Sequence, residues 1–191
     1  TELDQALRTA TSLTFDRIDS DGCQSTNDTV LLLANGAAGV RPDSAEFTDR
    51  LARLCWNLAR QLIGDAEGSS HDIAIEVINA ATERDALTVA REVARSNLFK
   101  CAIFGNDPNW GRVVSAVGVT DAAFEPDQLD VRINGVQVCR AGGVGEPREL
   151  VDLGPRECHV QVDLHAGTRA ATIYTNDLTY DYVKENAEYS T

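Results

Sequence analysis

Methionine is absent from the 191-residue sequence, and the first residue is Thr1. Three explanations are open for such a start. An initiator methionine has been trimmed, the chain is a fragment, or the chain is one product of a cleaved precursor whose new terminus takes part in chemistry. The third explanation makes Thr1 a candidate catalytic residue.

Long apolar runs are also absent. No window approaches the ~20 apolar residues of a membrane-spanning helix, and the start shows no signal-peptide or transit-peptide pattern. No repeat, low-complexity segment or linker divides the chain, and its length allows one sizeable core. We therefore expect residues 1–191 to form a single domain of a cytoplasmic protein that does not contact membranes.

Positive charge is scarce, and paired cysteine motifs are absent. Thirty acidic residues against seventeen basic ones give a formal net charge of −13, which repels phosphate backbones and excludes nucleic acid as a partner. The five cysteines form no C-x-x-C pair, so we expect reduced, mostly buried thiols. They are Cys23, Cys55, Cys101, Cys139 and Cys158.

Several catalytic and cofactor motifs are missing. The three histidines lack the spacing of metal ligands, so neither a metal nor a cofactor is expected. The glycine-rich AGGVGE lacks the Lys-Ser/Thr of a phosphate-binding loop and is interpreted as a mobile loop. No G-x-S-x-G sequence is present.

Helical periodicity dominates the first third of the chain. It predicts a helix over residues 2–18 that Thr1 caps together with Asp4. The apolar run TVLLLAN, which starts at Thr29, is typical of a buried strand. A second, longer helix is predicted to end at Gly64.

Strand patterns are concentrated later. Alternation around Ile75 predicts a strand with one buried face, Thr82 opens a helix, and GRVVSAVG predicts a short helix. Asn134-Gly135 predicts a hairpin, followed by strands at CHVQVDL and TRAATIY and a C-terminal helix. This order is compatible with an α+β sandwich and with a doubly wound parallel sheet, and the pattern does not choose between them.

Two loops have compositions that allow a functional interpretation. GDAEGSS places Asp65 and Glu67 at the end of a helix; the segment is either a solvated turn or a loop whose carboxylate binds an ammonium group. GNDPNWGR combines several turn residues with a tryptophan; it is either a rigid structural turn or part of a functional site.

Four segments in order resemble one family. GNDPNWGRVVSAVG, STNDTVLLLANG, the DAEG turn and TNDLTYDYVKENAEYST resemble the β chain of glutamate N-acetyltransferase/ornithine acetyltransferase. The resemblance covers most of the chain from Ser25 onward. It implies an α+β layered helix/sheet sandwich similar to N-terminal nucleophile hydrolases.

The resemblance also implies an activity and its partners. Members of the family arise from a precursor that cleaves itself before a threonine, and the resulting α and β chains assemble as α2β2. The implied reaction transfers acetyl from N2-acetylornithine to glutamate through an acetyl-threonine intermediate in arginine biosynthesis, and some members also accept acetyl-CoA. A free α-amine can serve as the base for the threonine hydroxyl, so Thr1 would supply both groups.

Carried over by position, the family's β-chain substrate contacts fall on Glu67, Asn186 and Thr191. Glu67 would hold the ammonium of an amino-acid substrate, while Asn186 and Thr191 would bind the polar end of the same ligand. The family usually has lysine at the position of His71.

The start of the chain departs from the family, because there the nucleophilic threonine begins an apolar strand that precedes the first helix. Either Thr1 is the nucleophile, or Thr1 caps the helix and the nucleophile lies on a strand outside this sequence. Two other functions stay open: a related amide hydrolase or aminopeptidase, and a non-catalytic amino-acid-binding subunit.

Overall fold

The computed structural model describes residues 1–188, which form a six-stranded sheet with helices on both faces. The α-helices of this part are α1 (Glu2–Leu13), α2 (Ser44–Gly64), α3 (Glu83–Arg95), α4 (Asn97–Phe104), α5 (Trp110–Val117) and α6 (Tyr180–Glu188). The strands are β1 (Asp72–Ala80), β2 (Asp130–Ile133), β3 (Val136–Arg140), β4 (Gly143–Val144), β5 (Glu157–Asp163) and β6 (Arg169–Asn176). The expected α+β class is confirmed.

The sheet is mixed rather than parallel. Its strand order is β4-β3-β2-β5-β1-β6. β1 and β5 run parallel, and the other neighbouring pairs are antiparallel. This arrangement excludes the doubly wound parallel sheet that the sequence pattern left open.

The core lies between one face of the sheet and α3. Ile73, Ile75 and Val77 project from β1 to this face and are at most 1% exposed. The facing side of α3 consists of small and β-branched residues without exposed surface, which lets the helix approach the sheet closely. These residues are Ala86, Val89, Ala90, Val93 and Ala94.

The opposite face is partly covered by α2, on which α1 packs. The ring of Trp56 lies 4.5 Å from the ring of Tyr174, centroid to centroid. Tyr174 alternates along β6 with the core residue Ile173, so it projects to the face opposite α3. α1 and α2 share a smaller core formed by Ala6, Ala10, Leu51 and Cys55.

Local signals for caps and turns are confirmed. The Thr1 hydroxyl accepts a hydrogen bond from the Asp4 amide at 3.2 Å, and Thr82 caps α3 in the same way. Asn134 and Gly135 have φ values of 47° and 86°, which are typical of the two-residue turn predicted between β2 and β3.

Three features of the secondary structure differ from the sequence predictions. The helix predicted over residues 2–18 ends at Leu13, where the Thr14 hydroxyl donates to the Ala10 carbonyl at 2.7 Å and a 3-10 turn follows. AGGVGE contains β4, which pairs with β3, so the interpretation as a mobile loop was wrong there. α4 was not predicted; Ser96 caps it directly after α3 ends.

The strand predicted for TVLLLAN is also wrong. Residues 29–35 are irregular, and Leu31 and Leu33 are 74% and 88% exposed. The apolar run has the composition of a buried strand, but within residues 1–188 it has no neighbouring strand to pair with.

The five cysteines are free thiols, as expected, and Cys55, Cys139 and Cys158 are buried. Burial raises the pKa of Cys158 to about 12, which keeps this thiol protonated and unreactive. Within residues 1–188, no helix is both long and apolar enough to cross a membrane. The same residues contain no group of three or more His, Cys, Asp or Glu side chains placed to hold a metal ion.

The core position of Ile75 provides a test of the fold. Ile75→Ala should lower the free energy of unfolding by about 2–5 kcal/mol, because it leaves a cavity under α3. Val119→Ala is the matched control, since Val119 is 72% exposed, and it should change stability by less than about 0.5 kcal/mol. Urea denaturation of both variants measures the difference; equal effects would contradict the assignment of Ile75 to the core.

Candidate functional site

Two chain segments meet at one edge of the sheet because of the strand directions. β1 and β6 are antiparallel, and Asp72 at the start of β1 pairs with Asn176 at the end of β6. The segment that enters β1, residues 64–71, is called the Glu67 loop below. It therefore lies beside the segment that leaves β6 and leads to α6.

Glu67 and Asn186 are brought together at this edge. The Asn186 side-chain amide donates to the Glu67 carboxylate at 3.1 Å, and both residues are exposed. Burial, reinforced by the carboxylates of Asp21 and Glu67, raises the pKa of Tyr182. Within residues 1–188, Glu67 makes no salt bridge, so its carboxylate remains available to an external cation.

Gly68 allows the Glu67 loop to lie directly against α6. Its φ is +59°, and a Cβ on it would stand 2.3 Å from the Tyr182 nitrogen. The Thr179 hydroxyl donates to the Gly68 carbonyl at 2.5 Å and accepts from the Tyr182 amide at 3.0 Å. The start of α6 and the Glu67 loop are thus one hydrogen-bonded unit, and a side chain at position 68 would separate them.

The Asp177 carboxylate anchors the other end of the Glu67 loop. It is 2% exposed and accepts the Ser70 and His71 amides, each at 2.9 Å, together with the Ser70 hydroxyl and His71 Nδ1. Burial by itself would raise the pKa of Asp177, but these donors outweigh it and hold the pKa below its ordinary value. The carboxylate therefore stays charged and fixes the loop.

The His71 ring faces a hydrogen-bond acceptor on each side. Nδ1 lies 2.8 Å from Asp177 Oδ2, and Nε2 lies 2.9 Å from the Leu153 carbonyl. The Ser70 hydroxyl also lies 3.1 Å from Nδ1, so contacts on both sides fix the orientation of the ring. His71 is 7% exposed and stands where the family resemblance implies lysine. Its two nitrogens have protein partners, so it supports the loop rather than offering a polar atom to a ligand.

Lys100 is another buried polar residue near the Asp177 carboxylate. It is 6% exposed, and its ammonium donates to the Ser20 carbonyl. Burial lowers the pKa of Lys100, while nearby aspartates, including Asp177, oppose the shift. The Ser20 hydroxyl in turn donates to the Asn176 side chain at 2.7 Å. Lys100 is therefore linked through Ser20 to the end of β6.

The GNDPNWGR loop connects α4 to α5 through hydrogen bonds within the loop and to main-chain carbonyls of α4. The Asn109 side chain donates to the Asp107 carboxylate at 3.0 Å. Its link to the site is indirect: the ring of Phe104 meets the ring of Tyr180, the first residue of α6, edge to face at 5.3 Å. These contacts are those of a rigid turn, which was one of the two interpretations.

Thr1 is placed differently from Glu67 and Asn186. Thr1 is exposed at the start of α1, and its hydrogen bonds join it to Asp4 and Gln5. Within residues 1–188, no hydrogen bond or salt bridge links Thr1 to Glu67 or Asn186. Thr191 lies outside the described residues.

Sequence reasoning did not identify Asp177, Ser70 or Lys100. A signal existed for Lys100, because a lysine within the apolar stretch NLFKCAIF is unusual and points to a buried charge. Asp177 directly follows a strand pattern, but its role appears only when β1 and β6 are paired.

The anchoring role of Asp177 has a measurable pH dependence. A carboxyl whose pKa is lower in the folded state stabilises the fold fully above its unfolded pKa, and this contribution is lost as the pH falls. Asp177→Asn should cost about 3 kcal/mol at neutral pH, and the deficit should shrink as the pH falls below the ordinary value of 3.8. Asp121→Asn, at an exposed position, is the control. Urea unfolding across pH measures both, and a deficit that does not change with pH would contradict the charged anchor.

Comparison with known proteins places this geometry in context. Residues 1–191 match the model of the ArgJ family. The chain is 64% identical to the arginine biosynthesis bifunctional protein ArgJ of Streptomyces avermitilis over 98% of its length, which is 49% of that protein. Identity to the proteins of the same name from Streptomyces coelicolor and Thermobifida fusca is 63% and 60%. The chain spans about half the length of these curated relatives.

A solved structure agrees with the fold. The crystal structure of the arginine biosynthesis bifunctional protein ArgJ from Bacillus halodurans superposes with a TM-score of 0.92 at 35% sequence identity. The match covers 98% of this chain and 93% of that chain. The family model, the close relatives and the shared fold agree, and the chain belongs to the ArgJ family.

Proposed function

We propose that this chain is the β chain of an acetyltransferase of arginine biosynthesis, formed as one domain and active with an α chain in an α2β2 assembly. Two coverage figures support the two-chain organisation. The chain spans 49% of the Streptomyces avermitilis relative but 93% of the crystallised Bacillus halodurans chain. Division of a full-length product into two chains accounts for both figures.

The pairing of Glu67 with Asn186 is the observation that carries the proposed substrate. The proposed enzyme moves acetyl from N2-acetylornithine to glutamate. Its donor carries a side-chain ammonium, and an exposed carboxylate without an internal salt bridge suits that group. Asn186 orients the carboxylate from α6 at 3.1 Å. Thr191 is proposed to bind the polar end of the same ligand together with Asn186.

The chemistry requires a nucleophile with its own base. A threonine hydroxyl gives its proton to the α-amine of the same residue, whose ordinary pKa is about 7.7–8.0. The oxygen bonds to the acetyl carbon, the carbon–nitrogen bond breaks, and ornithine leaves with the proton. The amine of glutamate then attacks the acetyl ester and restores the hydroxyl. Donors that stabilise the oxyanions are proposed to come from the α chain.

Two assignments of the nucleophile are considered: Thr1, or a threonine on a strand before this sequence. Thr1 has the required hydroxyl, but that hydroxyl accepts the Asp4 amide and caps α1. A threonine on a strand before this sequence would leave Thr1 with the capping role alone. Both versions use the same acyl-transfer chemistry and differ in the residue that becomes acetylated.

Substitution of Glu67 tests the ammonium site. Glu67→Gln should lower kcat/KM for N2-acetylornithine about 10- to 100-fold, because a hydrogen bond to a charged group contributes about 1.5–3 kcal/mol. Steady-state kinetics of the two-chain enzyme measure this. Glu125→Gln, at an exposed carboxylate away from the Glu67 loop, is the matched control and should retain wild-type kinetics. Unchanged kcat/KM in Glu67→Gln would remove Glu67 from the site.

Trapping the intermediate tests the reaction. Incubation of the two-chain enzyme with N2-acetylornithine alone should acetylate one threonine, and peptide mass spectrometry should show whether it is Thr1. Added glutamate should remove the acetyl group and yield N-acetylglutamate, and acetyl-CoA is a second donor for the same test. Loss of the acetyl group to water irrespective of glutamate would instead indicate an amide hydrolase. Binding of ornithine without any acetylation or turnover would indicate a non-catalytic subunit.

A further inference from the structure

A side chain next to β5 joins the two ends of the Glu67 loop. Arg156 directly precedes β5, and its Nη2 donates to the Gly64 carbonyl at 2.8 Å and to the Ser69 hydroxyl at 3.1 Å. Its Nη1 donates to the Ser69 carbonyl at 3.3 Å. Gly64 opens the loop and Ser69 lies near its end, so one guanidinium group spans the segment that carries Glu67.

The same guanidinium group is itself held by a carboxylate. Arg156 Nε and Nη2 donate to the two oxygens of Asp72, each at 3.0 Å, and this bidentate geometry fixes the plane of the guanidinium group. The main chain adds a contact, because the Asp72 amide donates to the Arg156 carbonyl at 2.9 Å. Asp72 Oδ1 also accepts from the Asn176 side chain at 3.3 Å, which connects Arg156 to the end of β6.

The two anchors described above act on other parts of the loop. Asp177 binds its end and Thr179 binds its middle. Within residues 1–188, neither side chain makes a hydrogen bond to residues 64–66. Arg156 connects the start of the loop to its end and so fixes the span of the turn between them. A carboxylate held in one geometry binds a ligand more tightly than a mobile one, because less conformational entropy is lost on binding.

We propose that Arg156 is a positioning residue: it holds the Glu67 carboxylate in the geometry that binds the substrate ammonium group, without itself touching the substrate. The inference rests on the ammonium site proposed above. It adds that the affinity of this site depends on the fork of the guanidinium group, which contacts both ends of the loop and Asp72 at once. A lysine would keep the charge at this position, but its single ammonium group cannot reproduce the bidentate pairing.

Ornithine binding to the two-chain protein tests the proposal without depending on acetyl transfer. Arg156→Lys should raise the Kd for ornithine about 10-fold in isothermal titration calorimetry, because the charge is retained but the loop geometry is not. Arg60→Lys is the matched control: Arg60 pairs with Glu157, next to Arg156, and within residues 1–188 it makes no hydrogen bond to the Glu67 loop. An equal change of Kd in both variants, or wild-type affinity in Arg156→Lys, would overturn the proposal.

A double-mutant cycle shows whether the effect passes through Glu67. In the Glu67→Gln background, Arg156→Lys should change the Kd for ornithine by less than about 2-fold, because the carboxylate that Arg156 positions is no longer present. A merely structural effect of the substitution would weaken binding by the same factor in both backgrounds. That result would overturn the positioning role.

Hydrogen–deuterium exchange locates the change. Amides of residues 65–69 should exchange at least about 10-fold faster in Arg156→Lys than in the wild type, with exchange in α3 unchanged; equal exchange of the loop in the two proteins would overturn the proposal. A protein that binds ornithine in the expected pattern but transfers no acetyl would uphold the role of Arg156 and contradict the proposed function. Acetyl transfer that Glu67→Gln impairs and Arg156→Lys leaves intact would have the opposite meaning.

Discussion

The charged Asp177 carboxylate is the constraint on which the geometry of the candidate site depends. It is nearly inaccessible to solvent and accepts hydrogen bonds from two main-chain amides, a hydroxyl and a histidine ring. A buried charge is stable only when such donors replace water. Because the donors belong to the Glu67 loop and the acceptor directly follows β6, satisfying this one charge fixes the loop to the segment that leads to α6.

The sheet brings these parts together before any side chain acts. The antiparallel pairing of Asp72 with Asn176 places the entry to β1 beside the exit from β6. Gly68 then lets the loop touch the first turn of α6, and Thr179 joins the two by hydrogen bonds. Glu67 and Asn186 are 119 positions apart in the chain. They are in contact because Glu67 lies on the loop and Asn186 lies on α6, and these two segments are joined by hydrogen bonds.

Much of the fold was predictable, because its signals are local. Helix caps at Thr1 and Thr82, and the turn at Asn134-Gly135, depend on a few adjacent residues. The site was less accessible: periodicity does not distinguish Glu67 from a solvated turn residue, and only the family resemblance singled out Asn186. Asp177 was missed because its donors lie about a hundred residues away in the chain. The strand predicted at residues 29–35 was wrong because a strand needs a partner, and sequence pattern does not show whether that partner lies in the same chain.

The Glu67 carboxylate, which Asn186 holds and Asp177 supports, is proposed to bind the ammonium of the substrate. A crystal structure of the two-chain protein with ornithine bound tests this contact. The ammonium nitrogen should lie about 2.7–3.2 Å from a Glu67 carboxylate oxygen, with the Asp177 hydrogen bonds to Ser70 and His71 retained. Ornithine bound elsewhere, with Glu67 contacting only Asn186, would contradict it.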